Sequence, residues 1–125
     1  MKNTKSLRSR ALLVSSVVVL VLVIMASVAS AAWRDFSFVN YSGRTIKYLY
    51  ISRSGYDSWS DDILGSYVLG HGESYECTYD NRFRYFDIKV VFSDGEEQIC
   101  WGHDFRNLWR LTFYRSNGNY YVRSN

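Results

Sequence analysis

Five aspartates, Asp57, Asp61, Asp62, Asp80 and Asp104, fall in polar segments that read as connections between strands. Calcium takes about six to eight oxygen ligands, and carboxylates gathered from several loops are one way to supply them. Asp57, Asp61, Asp62 and Asp104 are the metal-ligand candidates, with calcium the implied ion. Their spacing matches no EF-hand loop. Arg53, Arg82, Arg84 and Arg106 accompany them, so a solvated salt-bridge network accounts for the same composition. The segment 54–62 also carries Tyr56 and Trp59, rings of the kind that stack on sugars or anchor a protein partner. Together with Asp61 they form the ligand-binding candidate, and a long loop in a small domain is often functional. Cys100 and His103 are close in sequence, but a thiol nucleophile needs a hydrogen-bonded base, and proximity at a strand end supplies none. His71, between two glycines, reads as a turn residue. The chain contains no Gly-x-Ser-x-Gly, His-Glu-x-x-His, phosphate loop or Cys-x-x-Cys. A non-enzyme with no catalytic residue is expected.

The elements that must position these residues are strands. All 22 aromatic residues lie at or after Trp33, and segments rich in aromatic and β-branched residues alternate with polar turn clusters. Residues 33–40 place Phe36 and Phe38 on one face with Ser37 opposite. Residues 44–53 are apolar on both faces at Tyr48-Leu49-Tyr50-Ile51 and read as a central strand; 66–69 and 73–79 follow as shorter ones. Asp94-Gly95 between 85–92 and 97–101 is a hairpin signal, because a type I′ turn needs positive φ at both central residues. A two-residue loop there opposes Val90 to Ile99 and Ile88 to Trp101 and puts those four on the inner face. Asn117-Gly118 repeats the device between 108–114 and 120–123, with Phe113 and Val122 inward. Seven or eight short antiparallel strands predict an all-β fold, a small β-sandwich, with a small β-barrel as the alternative. If the strands run up and down, the connections 55–62, 80–82 and 102–104 share one end.

The first 32 residues differ in kind. Lys2, Lys5, Arg8 and Arg10 precede an uncharged Val/Leu-rich run from Ala11 to Ala26, and Ala29-x-Ala31 is a signal-peptidase pattern. Residues 1–32 are expected to be a bacterial signal peptide, or an uncleaved anchor, since 11–32 approaches the ~20 residues that span a bilayer. The domain would occupy 33–125, secreted or periplasmic, touching a membrane only through its leader if that is uncleaved. The net charge of +3 belongs to the leader. After Trp33, eleven Lys and Arg face twelve Asp and Glu, a net charge of −1, so a nucleic-acid partner loses its electrostatic support. An exported chain with two cysteines often pairs them. A Cys77–Cys100 disulfide is expected, although the hairpin register above turns Cys100 away from the inner face.

Asn40-Tyr41-Ser42-Gly43, Leu49-Tyr50-Ile51-Ser52, Trp59-x-x-Asp62-Ile63-Leu64-Gly65, Leu69-x-x-Gly72-Glu73-Ser74, Phe86-Asp87-Ile88-Lys89 and Asp94-Gly95-x-Glu97 together resemble, in order and spacing, a family of small exported bacterial all-β domains of uncharacterised function. The resemblance implies the compartment and the all-β fold and no activity. The function expected from the residues is an exported non-catalytic module that binds a protein or glycan of the cell envelope, or one outside it, through the loop-rich end. A secreted inhibitor of a hydrolase, such as a lysozyme or a protease, and a structural envelope protein are the alternatives.

Overall fold

The computed structural model describes residues 32–125, so the signal peptide or anchor expected over 1–32 lies, but for its last residue, outside the described residues. Seven strands follow in order: β1 (Trp33–Tyr41), β2 (Ile46–Arg53), β3 (Ser74–Asp80), β4 (Tyr85–Phe92), β5 (Glu97–Asp104), β6 (Arg110–Ser116) and β7 (Asn119–Ser124). They form a four-stranded sheet in the order β3-β1-β6-β7 and a three-stranded sheet in the order β2-β4-β5. Both sheets contribute to one buried core, so the fold is a small β-sandwich and not a closed barrel. The eighth strand expected at 66–69 shrinks to a single bridge between Ile46 and Leu69.

Alternation dictates which side chains meet. Phe36 and Phe38 point into the core from β1, Leu49 and Ile51 from β2, and Ile88 and Val90 from β4, all at most 9% exposed. Rings concentrate in two clusters. Near the loop-rich end Phe86 stacks on Phe105 at 4.6 Å, with Phe36 and Tyr79 packed edge-on to Phe105. At the other end Phe113 stacks on Tyr120 at 5.4 Å beside Phe92. Such ring pairs contribute about 0.5–1.5 kcal/mol each beyond their buried area.

Three expectations need correction. The pairing is not antiparallel throughout, because β1 lies between β3 and β6 and runs parallel to β6. Strand β2 is an edge strand, not a central one. Its outward aromatics, Tyr48 and Tyr50, face away from the core, and residues 60–63 cover its free edge. Ser60 N donates to the Ile51 carbonyl and Ile63 N to the Leu49 carbonyl, while Ile51 N donates to Ser60 Oγ and Leu49 N to Asp62 Oδ1. A covered edge offers no template for pairing with another chain.

The third correction concerns the β4–β5 hairpin. Gly95 N donates to the Phe92 carbonyl and Phe92 N to that of Glu96, and among residues 93–96 only Gly95 has positive φ, +90°. The loop therefore has three residues, a type I turn closed by a left-handed glycine. Val90 then opposes Gln98, and Ile88 opposes Cys100. A one-residue slip carries a whole strand's side chains to the other face. Cys100 packs against the core, whereas Trp101 is 70% exposed.

Candidate functional site

The slipped register assembles an aromatic surface on the outward face of the three-stranded sheet. Tyr50, Lys89 and Ile99 are neighbours across β2, β4 and β5. Beyond them Trp101 and Gly102 together oppose Asp87, a bulge of the kind that re-aims a side chain. Asp87 Oδ1 accepts the freed N–H of Gly102 at 2.7 Å and the Ser54 hydroxyl at 2.8 Å. Trp101 thus stays outward while His103 turns inward opposite Phe86. From the loop, Trp59 comes within 6.1 Å of Trp101 between ring centroids. The Lys89 ammonium lies 4.8 Å from both the Tyr50 and the Trp59 ring, and Tyr48 continues the row at 6.3 Å from Tyr50.

The connections expected at 55–62 and 80–82 do share one end; residues 102–104 belong to β5, and the segment that follows them from Phe105 joins that end. Ser54 N donates to the Tyr85 carbonyl and Phe105 N to that of Arg84. Two concavities open there. One, of about 390 Å³, runs between Arg53, Ser60, Ile63, Asp80 and Phe83. The other, of about 610 Å³, is bordered by Arg34, Arg82, Arg84 and Arg106.

The carboxylates expected to hold calcium are spread over separate tasks. Asp62 Oδ1 accepts from Leu49 N and Leu64 N. Asp80 takes Nε and Nη2 of Arg82, which holds its carboxyl below the usual range. Asp104 takes Nε and Nη2 of Arg84 and the backbone N–H of Arg106, with the same effect. Asp57 and Asp61 are exposed on the loop. Among the described residues no group of three or more His, Cys, Asp or Glu is gathered closely enough to hold a metal ion.

Of the ligand-binding candidates, Trp59 joins the aromatic face. Tyr56 turns instead to Arg53, whose guanidinium lies 3.9 Å from the Tyr56 ring and 3.9 Å from that of Phe83. The structure therefore does not bring Tyr56, Trp59 and Asp61 into one cluster. It adds Trp101, Tyr48, Tyr50 and Lys89, which sequence reasoning assigned to the core or passed over. The signal was present in the two-faced apolarity of Tyr48-Leu49-Tyr50-Ile51, which marks a strand whose outer face is not left to water.

Cys77 and Cys100 are free thiols, not a disulfide. Both face the core, but from opposite edges. Strand β5 lies against β7, and β3 is three strand steps from β7, about 14 Å at ~4.8 Å per step. Bridged Cα atoms are usually within about 7 Å. Burial pushes the Cys77 thiol up to about 12 and raises that of Cys100 as well. His103 is partly buried, its Nε2 has no hydrogen-bond partner, and burial lowers its pKa. Cys100 and His103 thus share the inward face of β5 without forming a hydrogen-bonded pair. His71 Nδ1 accepts the Gly43 N–H at 2.9 Å, tying two turns together.

Fold and surface together define an all-β sandwich domain with an aromatic sheet face and a clefted loop end. The chain matches no protein-family model and no curated protein.

Proposed function

We propose that the chain is an exported, non-catalytic binding module whose ligand is a glycan, taken on the outward face of the three-stranded sheet. The observation that carries this reading is the pair Trp59 and Trp101, side by side at 6.1 Å with the Lys89 ammonium against Trp59. A ring left 70% exposed on a strand contributes little to folding. Flat rings beside a donor such as Lys89 suit a ligand with apolar C–H faces and hydroxyl edges, which describes a sugar. Export is supported by the leader pattern. The burial that raises the pKa of both thiols weighs against their use as nucleophiles.

Affinity electrophoresis of the full chain through gels containing neutral polysaccharides tests this. Replacing both Trp59 and Trp101 by Ala is expected to weaken retention by roughly 10-fold or more, at about 1 kcal/mol per lost ring contact, while the domain stays folded and its melting temperature falls by about 8 °C or less. Retention that survives both substitutions would sink the assignment. Inhibition of a lysozyme or protease without retention on any polysaccharide would favour the inhibitor reading instead.

A further inference from the structure

The 610 Å³ cleft at the loop end has an electrostatic character that the domain as a whole lacks. Four of the nine arginines that follow Trp33 line it, Arg34, Arg82, Arg84 and Arg106, and no carboxylate does. The domain carries a net charge of −1, so this is local convergence and not a generally basic surface. Asp80 and Asp104 are not among the lining residues, and each is paired with a lining arginine, Arg82 and Arg84 respectively. Arg82 and Arg84 each give their Nε–Nη2 edge to an aspartate, which leaves the Nη1 side of each guanidinium available. Arg106 is more loosely tied, 3.9 Å from Asp104 and well exposed. Guanidinium groups fixed in this way are pre-oriented for a planar oxyanion. Apolar lining comes from the partly exposed Phe83, backed by Tyr79, Phe105 and Leu108, which are themselves buried. Asn81 and Asn107 add amide groups at the border.

We propose that this cleft holds an acidic sugar unit, its carboxylate on the arginines and its ring against Phe83. A cleft of this size falls within the range that encloses a small ligand. An accessible ring such as Phe83 beside the arginines suits a ring-bearing acid better than a bare inorganic anion. The proposal deepens the glycan reading and rests on it for the ligand class, but it uses different residues. Trp101 and Asp104 lie on the same strand, about 10 Å apart at ~3.3 Å per residue, so one chain of sugars has both within reach.

The full chain would be titrated with galacturonate oligomers and, separately, with galactose oligomers of equal length, at low and at high salt. The acidic oligomer is expected to bind about tenfold more tightly at low salt, the equivalent of ~1.4 kcal/mol, with the margin shrinking at high salt. Replacing Arg84 and Arg106 together by Gln should remove that preference and leave the galactose affinity unchanged. Arg106→Gln alone, at an exposed position, should reduce the preference and keeps the test valid if the double variant fails to fold. Trp59→Ala with Trp101→Ala should weaken both oligomers and preserve their ratio. Equal affinity for the two oligomers, or a preference that survives Arg84→Gln with Arg106→Gln, overturns the cleft assignment and leaves the aromatic face standing. Displacement of the acidic oligomer by equimolar inorganic phosphate overturns it in favour of a phosphate site. No binding of either oligomer overturns it together with the glycan reading.

Discussion

Asn40 is fully buried, and both ends of its amide are engaged. Its Nδ2 donates to the carbonyls of Arg44 and Leu69 at 2.7 and 2.9 Å, and its Oδ1 accepts from Ser42 N and Ser42 Oγ. One side chain thereby ties the β1–β2 turn to the segment entering β3. Asn40→Ala leaves buried groups without partners, so a loss on the order of 3 kcal/mol is expected, roughly 15 °C in melting temperature for a domain of this size; calorimetry checks it. His103 gives a pH dependence. Its folded pKa lies below the unfolded value, so between the two the unfolded chain binds more protons. Stability is then complete above about pH 6.5 and falls as the pH drops towards the folded pKa. Urea midpoints between neutral pH and about pH 5 should show this decline, and His103→Phe should flatten it; an unaltered slope would place the responsible proton elsewhere. Trp59 was legible as a ring outside the core because a polar loop is a poor place to bury one. Trp101 was not, since its direction depends on strand register and a residue type carries no register.

The two hairpins show how far turn chemistry reaches. Asn117 and Gly118 both have positive φ, +52° and +81°, so this turn is the two-residue loop that the sequence predicts, and Phe113 faces Val122 as expected. Asp94-Gly95 carries the same kind of signal and makes the other choice, with Gly95 alone in the left-handed region. Asp-Gly satisfies either turn. The decision falls to the faces of β5, where the three-residue loop buries Cys100 and exposes Trp101. Gly95→Ala has open space for its methyl group, so its cost is backbone strain alone, about 1–2 kcal/mol. Denaturant unfolding should show that loss, and an unchanged midpoint would contradict the turn geometry. The loop 54–62 has a comparable double character. Its length suggested function, yet Ser60 and Asp62 are committed to covering the edge of β2, and Trp59 is the part that reaches the aromatic face.

For the chain as a whole, the sheet order places Cys77 and Cys100 on distant edges of one core. The folded protein should therefore show the same intact mass before and after a reductant. Both thiols should react only slowly with a thiol reagent until the chain is unfolded, because burial keeps them protonated. A gain of two hydrogens on reduction would overturn the free-thiol assignment. The charge balance and the clustering of aromatics after Trp33 need no fold to be read, and neither do the alternation in β1, β4 and β6 and the Asn-Gly turn. These are local properties, set by composition, side-chain period and the φ preferences of a few residues. An all-β sandwich with one loop-rich end follows from them. The parallel pairing of β1 with β6, the edge position of β2, the register of β5 and the arginine-lined cleft do not. Each depends on which apolar faces are buried against one another across the sandwich, and that competition is decided only when all seven strands are in place.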